Sequence, residues 1–291
     1  MIKEALAALR DTAQSLRRTP AYLLVFVALY LLLLVACHLF ITTRVATVPQ
    51  LIVTALTALA VPLLFFLLQA ASVNYTRTTG STKSLLRRAA ADFPKIILVS
   101  IPLILLGIGL VYLLNKLQLR FPVPPPKPIV TNAIEVESPV PFAWSEFLFF
   151  AIRLFLLGIL LPLLAIHTWL SVARRGLMAT MKNLFGVLRS TFAARSLLIY
   201  TLGLLIFAAL PYFLIFTRTP VSHPWAELII FGVRLIMVFT LTLFGWIITT
   251  GALDRIAYDA APPVAPDTMP TAPAPAVVPS IGAAESAPAN S

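Results

Sequence analysis

The chain has 291 residues, of which 59% are hydrophobic and 11% charged, and its mean hydropathy is +0.94. A soluble domain has about a quarter charged residues and at most about half apolar residues, so the composition excludes a water-soluble globule of this size. The formal net charge is +11, and the basic residues lie between apolar runs. We therefore expect anionic phospholipid head groups, and not nucleic acid, as their partners. The single cysteine, Cys37, excludes an intrachain disulfide and a cysteine-rich zinc site.

Six apolar runs follow one another along the chain, at residues 21–41, 49–73, 95–117, 145–172, 196–216 and 226–253. A helix of about 20 residues crosses the roughly 30 Å hydrocarbon core, since each residue rises 1.5 Å. The runs lack the alternation that is typical of barrel strands. We therefore predict an all-α polytopic membrane protein with six transmembrane helices, the first of which is retained and not cleaved as a signal peptide.

The distribution of basic residues predicts the orientation of these spans. With six spans, the N-terminal segment, the links 74–95 and 173–195 and the C-terminus share one side. That side carries fifteen Lys and Arg residues, whereas the opposite loops carry five. Because positive residues are retained in the cytoplasm, the sequence predicts a multi-pass inner (plasma) membrane protein with both termini cytoplasmic. Anionic head groups on the cytoplasmic side are its predicted lipid partners.

Each basic segment has apolar residues at the spacing of an amphipathic helix. These residues are Ile2, Ala5, Leu6, Leu9, Ala13 and Leu16; then Leu85, Leu86, Ala89, Ala90 and Phe93; then Leu177, Met178, Met181, Leu184, Phe185, Leu188 and Phe192. Such helices lie in the membrane interface, although packing on the bundle fits the weakly apolar second one nearly as well. The order of amphipathic helix, span, outer loop and span occurs three times, with similar junctions in "LRRTPAYLLVF", "AADFPKIILVS" and "FAARSLLIYTL". We therefore predict three repeated units of an amphipathic helix plus a helical hairpin.

Proline predicts several further features. Pro62, Pro102, Pro162 and Pro211 lie inside spans, where kinks or broken hydrogen bonding are expected. The outer loop 118–142 has seven prolines, which favour an extended spacer. The Pro/Ala-rich segment 259–291 has no periodicity and predicts a disordered cytoplasmic tail that follows the transmembrane domain of residues 1–258.

Two spans carry a charged pattern in the same register. "WSEFLFFAIRL" starts at Trp144 and "WAELIIFGVRL" at Trp225, so Glu146 and Arg153 correspond to Glu227 and Arg234. If the tryptophans mark the outer interface, each arginine lies about 13 Å deeper, close to the middle of the hydrocarbon core. A charge at that depth costs about 3 kcal/mol on insertion scales, so it must be compensated.

We predict that Glu146, Arg153, Glu227 and Arg234 meet in an outward-facing polar pocket between spans four and six. In one interpretation, this pocket binds or transports an anionic amphiphile or small solute, because guanidinium suits phosphate and carboxylate. In the alternative, the glutamate–arginine sets cross-pair, bond to carbonyls freed near the prolines and only fix helix packing. The protein would then be a non-catalytic structural or accessory membrane subunit.

The sequence contains no HExxH or GxSxG motif and no pair of acids inside a span. His38, His167 and His223 are too far apart on the predicted topology to form one metal site. We therefore predict no catalytic residue, no metal, no cofactor and no enzymatic activity. A protein partner is left open.

The links "TRTTGSTKSLLRRAAADFP" and "ARRGLMATMKNLFGVLRSTF", with the spans around them, carry a resemblance to known proteins. The chain resembles poorly characterised bacterial six-span integral membrane proteins similar to the glycerophosphoryl diester phosphodiesterase membrane domain. The resemblance covers residues 1 to about 258. It implies a membrane-embedded accessory or lipid-associated role and no catalytic residue, because the soluble catalytic barrel has no counterpart in this sequence.

Overall fold

The computed structural model describes residues 1–43, 47–78, 81–121, 129–131, 134–136, 144–217 and 223–259, with backbone alone for 129–131, 134–136, 258 and 259. The helices are α1 (Ile2–Arg18), α2 (Pro20–Thr42), α3 (Val48–Asn74), α4 (Thr82–Gln118), α5 (Trp144–Arg153), α6 (Leu161–Arg175), α7 (Leu177–Lys182), α8 (Leu184–Thr191), α9 (Ala194–Leu204), α10 (Leu210–Phe216) and α11 (Pro224–Asp259). A 3₁₀ turn, Tyr75–Arg77, follows α3, and two π-helical segments join α5 to α6 and α9 to α10.

Six helical segments in the described ranges are long and apolar enough to cross a membrane: Pro20–Thr42, Val48–Arg77, Thr82–Gln118, Trp144–Arg175, Ala194–Phe216 and Pro224–Ala257. They are called spans one to six below. At most 22% of the residues in the most apolar window of any span are buried inside the protein. Because such apolar surface is stable only against lipid, the predicted all-α, six-span class is confirmed. The chain is a multi-pass membrane protein.

Proline shapes spans four and five in the same way. The π-helical segment Leu154–Leu160 ends two residues before Pro162, and the segment Leu205–Ala209 ends two residues before Pro211. Proline has no N–H group, and its ring clashes with the carbonyl four residues earlier, so a wider turn relieves both problems. The predicted disturbance at these two prolines therefore takes the form of π-helical turns.

The buried core lies toward one side of the bundle. We call this the basic side; it contains α1, residues 75–94, α7, α8 and the end of α11. The opposite side, where α2 joins α3, α4 joins α5 and α10 joins α11, is the loop side. Fully buried large side chains such as Leu85, Ile166, Ile199 and Leu253 lie in the half of the spans nearest the basic side. Most large apolar residues of the other half are exposed, so lipid surrounds that half.

The three basic segments are helical in the described chain, but each takes a different form. α1 buries Ala5, Leu9 and Leu16 against the bundle, where it packs on α9 and α11. The second segment runs into span three as one continuous helix, α4, through Pro94. The third is divided at Asn183 into α7 and α8. The amphipathic character and the threefold repeat of these segments stay predictions.

The long loop between spans three and four contains a short antiparallel pair of strands, β1 (Ile129–Thr131) and β2 (Ile134–Val136), in which Val130 is opposite Glu135. The seven prolines on which the predicted spacer rests, and the predicted disordered tail beyond Asp259, lie outside the described residues.

Candidate functional site

Arg153 contacts the end of span three. Its Nη2 atom donates hydrogen bonds to Asn115 Oδ1 at 2.6 Å and to Gln118 Oε1 at 2.7 Å. Both acceptors lie in the last turn of α4, where the negative end of the helix dipole also favours a cation. The guanidinium is therefore held by neutral oxygens at the loop-side end of the preceding span.

Arg234 is held in the corresponding way by span five. Its Nη1 atom donates a hydrogen bond to the backbone carbonyl of Thr217, the residue that follows α10. This carbonyl is one of those that the end of a helix leaves without an intrahelical donor. In spans four and six alike, the arginine thus contacts the terminal turn of the span that precedes it.

These contacts differ from the ones predicted. None of the ion pairs among the described residues joins Glu146 or Glu227 to Arg153 or Arg234, and both glutamates are exposed. The loop-side part of span four packs on span three, and that of span six packs on span five. The structure therefore does not bring the four residues together into a pocket between spans four and six. Their assignment as binding residues stays a prediction.

The predicted depth of the guanidiniums also needs correction. Residues 95–118 of α4 would rise about 36 Å as a helix, more than the roughly 30 Å core, so Gln118 lies near the loop-side interface. Since Arg153 reaches Gln118, its charged group lies near that interface and not near the middle of the core. The prediction assumed that Trp144 lies at the interface. Because Arg153 reaches the last residue of span three, Trp144, nine residues earlier in span four, lies outside the hydrocarbon core. The Arg153 side chain points toward the start of its own helix, the direction in which helical side chains lean.

The most buried carboxylate of the described chain lies on the basic side. Asp254 in span six has a side chain only 1% exposed. Arg174 at the end of span four donates from Nε to Asp254 Oδ1 at 2.7 Å and from Nη2 to Oδ2 at 2.6 Å. Thr76 of the 3₁₀ turn donates its hydroxyl to the same Oδ2 at 2.6 Å. A bidentate, charge-assisted pair thus joins the ends of spans two, four and six.

A second set of polar contacts surrounds Arg77. This residue donates from Nη1 to the backbone carbonyl of Ala173 and, at 3.4 Å, to Asn74 Oδ1. The Asn74 amide donates to Asp92 Oδ2 at 3.1 Å, and Asp92 pairs with Lys95 at 2.9 Å. These bonds connect spans two, three and four. Together with the Asp254 contacts, they form what we call the basic-side network.

The sequence-based reasoning missed the basic-side network. It counted Arg77 and Arg174 only as positive charges that set the orientation, and it gave no role to Asp254 or Asp92. A signal was present in the sequence, because the link 74–95 holds Asp92 as its one acid among five Lys and Arg residues. An acid at the inner end of a strongly basic bundle is best explained by a specific cationic partner.

An apolar cavity of about 280 Å³ lies among spans one, two, five and six. Tyr30, Phe65, Phe207 and Leu243 contribute to its lining. Trp246 Nε1 donates a hydrogen bond to Gln69 Oε1 at 2.7 Å, so the indole N–H and the amide oxygen at this cavity satisfy each other. The cavity therefore has an apolar character that fits a hydrocarbon group better than a polar solute.

No known protein family, curated protein or solved structure matches the chain. The fold and the contacts described above define the class of protein, a multi-pass membrane protein with six helical spans. The resemblance to the glycerophosphoryl diester phosphodiesterase membrane domain stays an expectation.

Proposed function

We propose that the protein is an inner-membrane protein with cytoplasmic termini that binds an anionic amphiphile on its loop side. The observation that carries the proposal is the contact of Arg153 and Arg234 with neutral oxygens, while no ion pair among the described residues joins either arginine to Glu146 or Glu227. Each guanidinium has further N–H donors that suit a phosphate or carboxylate.

The surrounding surface supports an amphiphile as the ligand. Exposed apolar residues such as Phe150, Leu154, Phe231 and Ile236 lie on the same helices within a turn of the arginines. An acyl chain along these helices would keep the apolar residues out of water, and the head group would lie level with the guanidiniums. The proposal extends to transport, in which the bound amphiphile would cross the membrane.

The experiment is native mass spectrometry of the purified protein beside an Arg153→Gln/Arg234→Gln variant. We expect a defined anionic amphiphile to remain on the wild type and to fall about tenfold or more in occupancy on the variant. The matched control is Glu146→Gln/Glu227→Gln, which changes the same helices but should retain the ligand. Equal occupancy in all three proteins would contradict the proposal.

A second candidate function is supported by the position of the arginine contacts. Each arginine joins the two helices of one hairpin, as a residue with a purely structural role would. The protein would then be a non-catalytic structural or accessory subunit. In that case, the arginine variant should have a lower melting temperature in ligand-free detergent, with no change in the amphiphiles that copurify.

A further inference from the structure

A second cavity lies on the basic side, opposite the loop side that holds Arg153 and Arg234. It has a volume of about 240 Å³ and lies between the end of span four, Asn183 with α8, and the end of α11. His167, Ser171, Arg175, Asn183 and Ser190 supply its polar lining. None of the described lining residues is acidic, and Arg175 contributes one positive charge to the cavity.

A buried polar group of this cavity has an unsatisfied nitrogen. His167 is only 2% exposed, and its Nε2 atom has no hydrogen-bond partner among the described residues. Its Nδ1 atom lies 3.5 Å from Ser190 Oγ, whose hydroxyl donates to the Val187 carbonyl at 2.7 Å. A buried nitrogen without a partner costs free energy, so a polar ligand in the cavity would stabilise it.

The local backbone places the Asn183 amide in the cavity. Gly176, with φ of 83°, ends α6 in a conformation that favours glycine and turns the chain into α7. Asn183 then interrupts the helix between α7 and α8. A Cβ atom on Gly186 would lie only 2.4 Å from Asn183 Oδ1, so the amide occupies space that glycine leaves open.

The charges around the cavity favour an anion. Residues 160–192 contain Arg174, Arg175, Lys182 and Arg189 and no acidic residue. Asp254, three residues before the lining residue Ala257, is already bound by Arg174 and Thr76. None of the described lining residues therefore offers a carboxylate that would compete with an anion in the cavity.

We propose that this cavity binds a phosphate group. Arg175 and the Asn183 amide can donate hydrogen bonds to phosphate oxygens, and guanidinium suits phosphate in particular. Phosphate also satisfies His167 Nε2 in either tautomer, because it has acceptor oxygens and, when singly protonated, a hydroxyl donor. The proposal is independent of the loop-side function, because it uses none of the same residues.

The phosphate has two sources, a lipid head group or a free ion. An apolar groove of about 820 Å³ lies beside α7 and α8, lined by residues such as Pro102, Leu106, Met181 and Phe185, and Val187 lines both spaces. This groove could hold an acyl chain of a lipid whose head group occupies the cavity. A free phosphate would use the cavity alone.

The test uses the full chain in nanodiscs and two variants that change the net charge equally. Asn183→Asp replaces the amide donor with a carboxylate of the same shape, whereas Lys182→Gln removes a neighbouring exposed cation that does not line the cavity. In phosphatidylcholine nanodiscs, inorganic phosphate is titrated by calorimetry. In nanodiscs that also contain phosphatidylglycerol, retained lipid is counted by native mass spectrometry.

We expect Asn183→Asp to weaken binding by about tenfold or more and Lys182→Gln to leave it near the wild-type value. This pattern in the phosphate titration identifies a free phosphate as the ligand, and the same pattern in retained phosphatidylglycerol identifies a lipid head group. The proposal is wrong if the two variants do not differ in the phosphate titration or in retained phosphatidylglycerol. This holds whether both match the wild type or both weaken binding equally.

Gly186→Ala provides a second variant that should not unfold the protein. The added Cβ meets only the end of the Asn183 side chain, which can move aside, and alanine favours a helix more than glycine does. We expect an unchanged or higher melting temperature together with weaker phosphate binding. Wild-type affinity in this variant would overturn the role given to the Asn183 amide.

Discussion

The Tyr200 hydroxyl donates a hydrogen bond to the Gly158 carbonyl at 3.1 Å. Gly158 lies four residues before Pro162, so its carbonyl is the one that the missing proline N–H would otherwise bind. Tyr200 lies in span five and Gly158 in the π-helical segment of span four. A side chain of one span thus satisfies the backbone group that proline frees in its neighbour.

This relationship predicts coupling between two substitutions. Tyr200→Phe should lower the free energy of unfolding by about 0.5–1.5 kcal/mol, the range for one hydrogen bond in a membrane protein. In a Pro162→Ala background, the restored N–H can bind Gly158, so Tyr200→Phe should cost much less. Reversible unfolding in mixed micelles, analysed as a double-mutant cycle, measures the coupling. A coupling energy of zero would show that the two residues act independently.

The buried pair of Asp254 and Arg174 predicts a large effect of removing one partner. Asp254→Asn leaves the Arg174 guanidinium without its carboxylate, and we expect a loss of about 3–5 kcal/mol in the free energy of unfolding. Glu4→Gln is the comparison, because Glu4 and Arg195 are 3.6 Å apart with side chains 57% and 54% exposed. This exposed pair should contribute less than about 1 kcal/mol. Similar losses in the two variants would contradict the structural importance of the basic-side network.

Two glycines of α11 differ in the space around them. A Cβ atom on Gly251 would lie 2.2 Å from Tyr75 Oη and 2.7 Å from Thr12 Cγ2, whereas one on Gly232 meets nothing within 4 Å. Gly251→Ala should therefore cost about 1–3 kcal/mol of unfolding free energy. Gly232→Ala should be neutral or stabilise the helix by up to about 1 kcal/mol. Thermal unfolding of both variants in the same detergent measures the difference.

Tyr75 allows a further test of the same contact. Its hydroxyl is buried without a hydrogen-bond partner among the described residues, so Tyr75→Phe should be neutral or stabilising. Because phenylalanine removes the atom nearest to the new Cβ, Gly251→Ala should be better tolerated in this background. An equal cost in both backgrounds would place the strain at Thr12 or in the backbone instead.

The hydrogen bond between Gln69 and Trp246 predicts a loss that a second substitution recovers. Gln69→Leu leaves the half-buried indole N–H without its acceptor, and we expect a cost of about 1 kcal/mol. Adding Trp246→Phe removes the donor as well, so the double variant should lose less than the sum of the single variants. Unfolding in micelles provides the three values, and strict additivity would argue against the bond.

The sequence alone determined the class of protein and its spans. The predicted runs 21–41 and 196–216 lie within two residues of the helical segments Pro20–Thr42 and Ala194–Phe216. Such bounds are predictable because the length of an apolar run and the thickness of the hydrocarbon core are local quantities. The disturbance at Pro162 was predictable for a similar reason, since it follows from the missing N–H of one residue.

Only the tertiary structure decided which charged residues meet. The similar patterns around Arg153 and Arg234 indicated which residues share a helix face, but they did not indicate which helix lies opposite. The observed partners are far apart in sequence: Arg153 and Asn115 by 38 residues, and Arg174 and Asp254 by 80. A helical periodicity is set by neighbouring residues, whereas the choice of neighbour depends on how all six spans fill the bundle together.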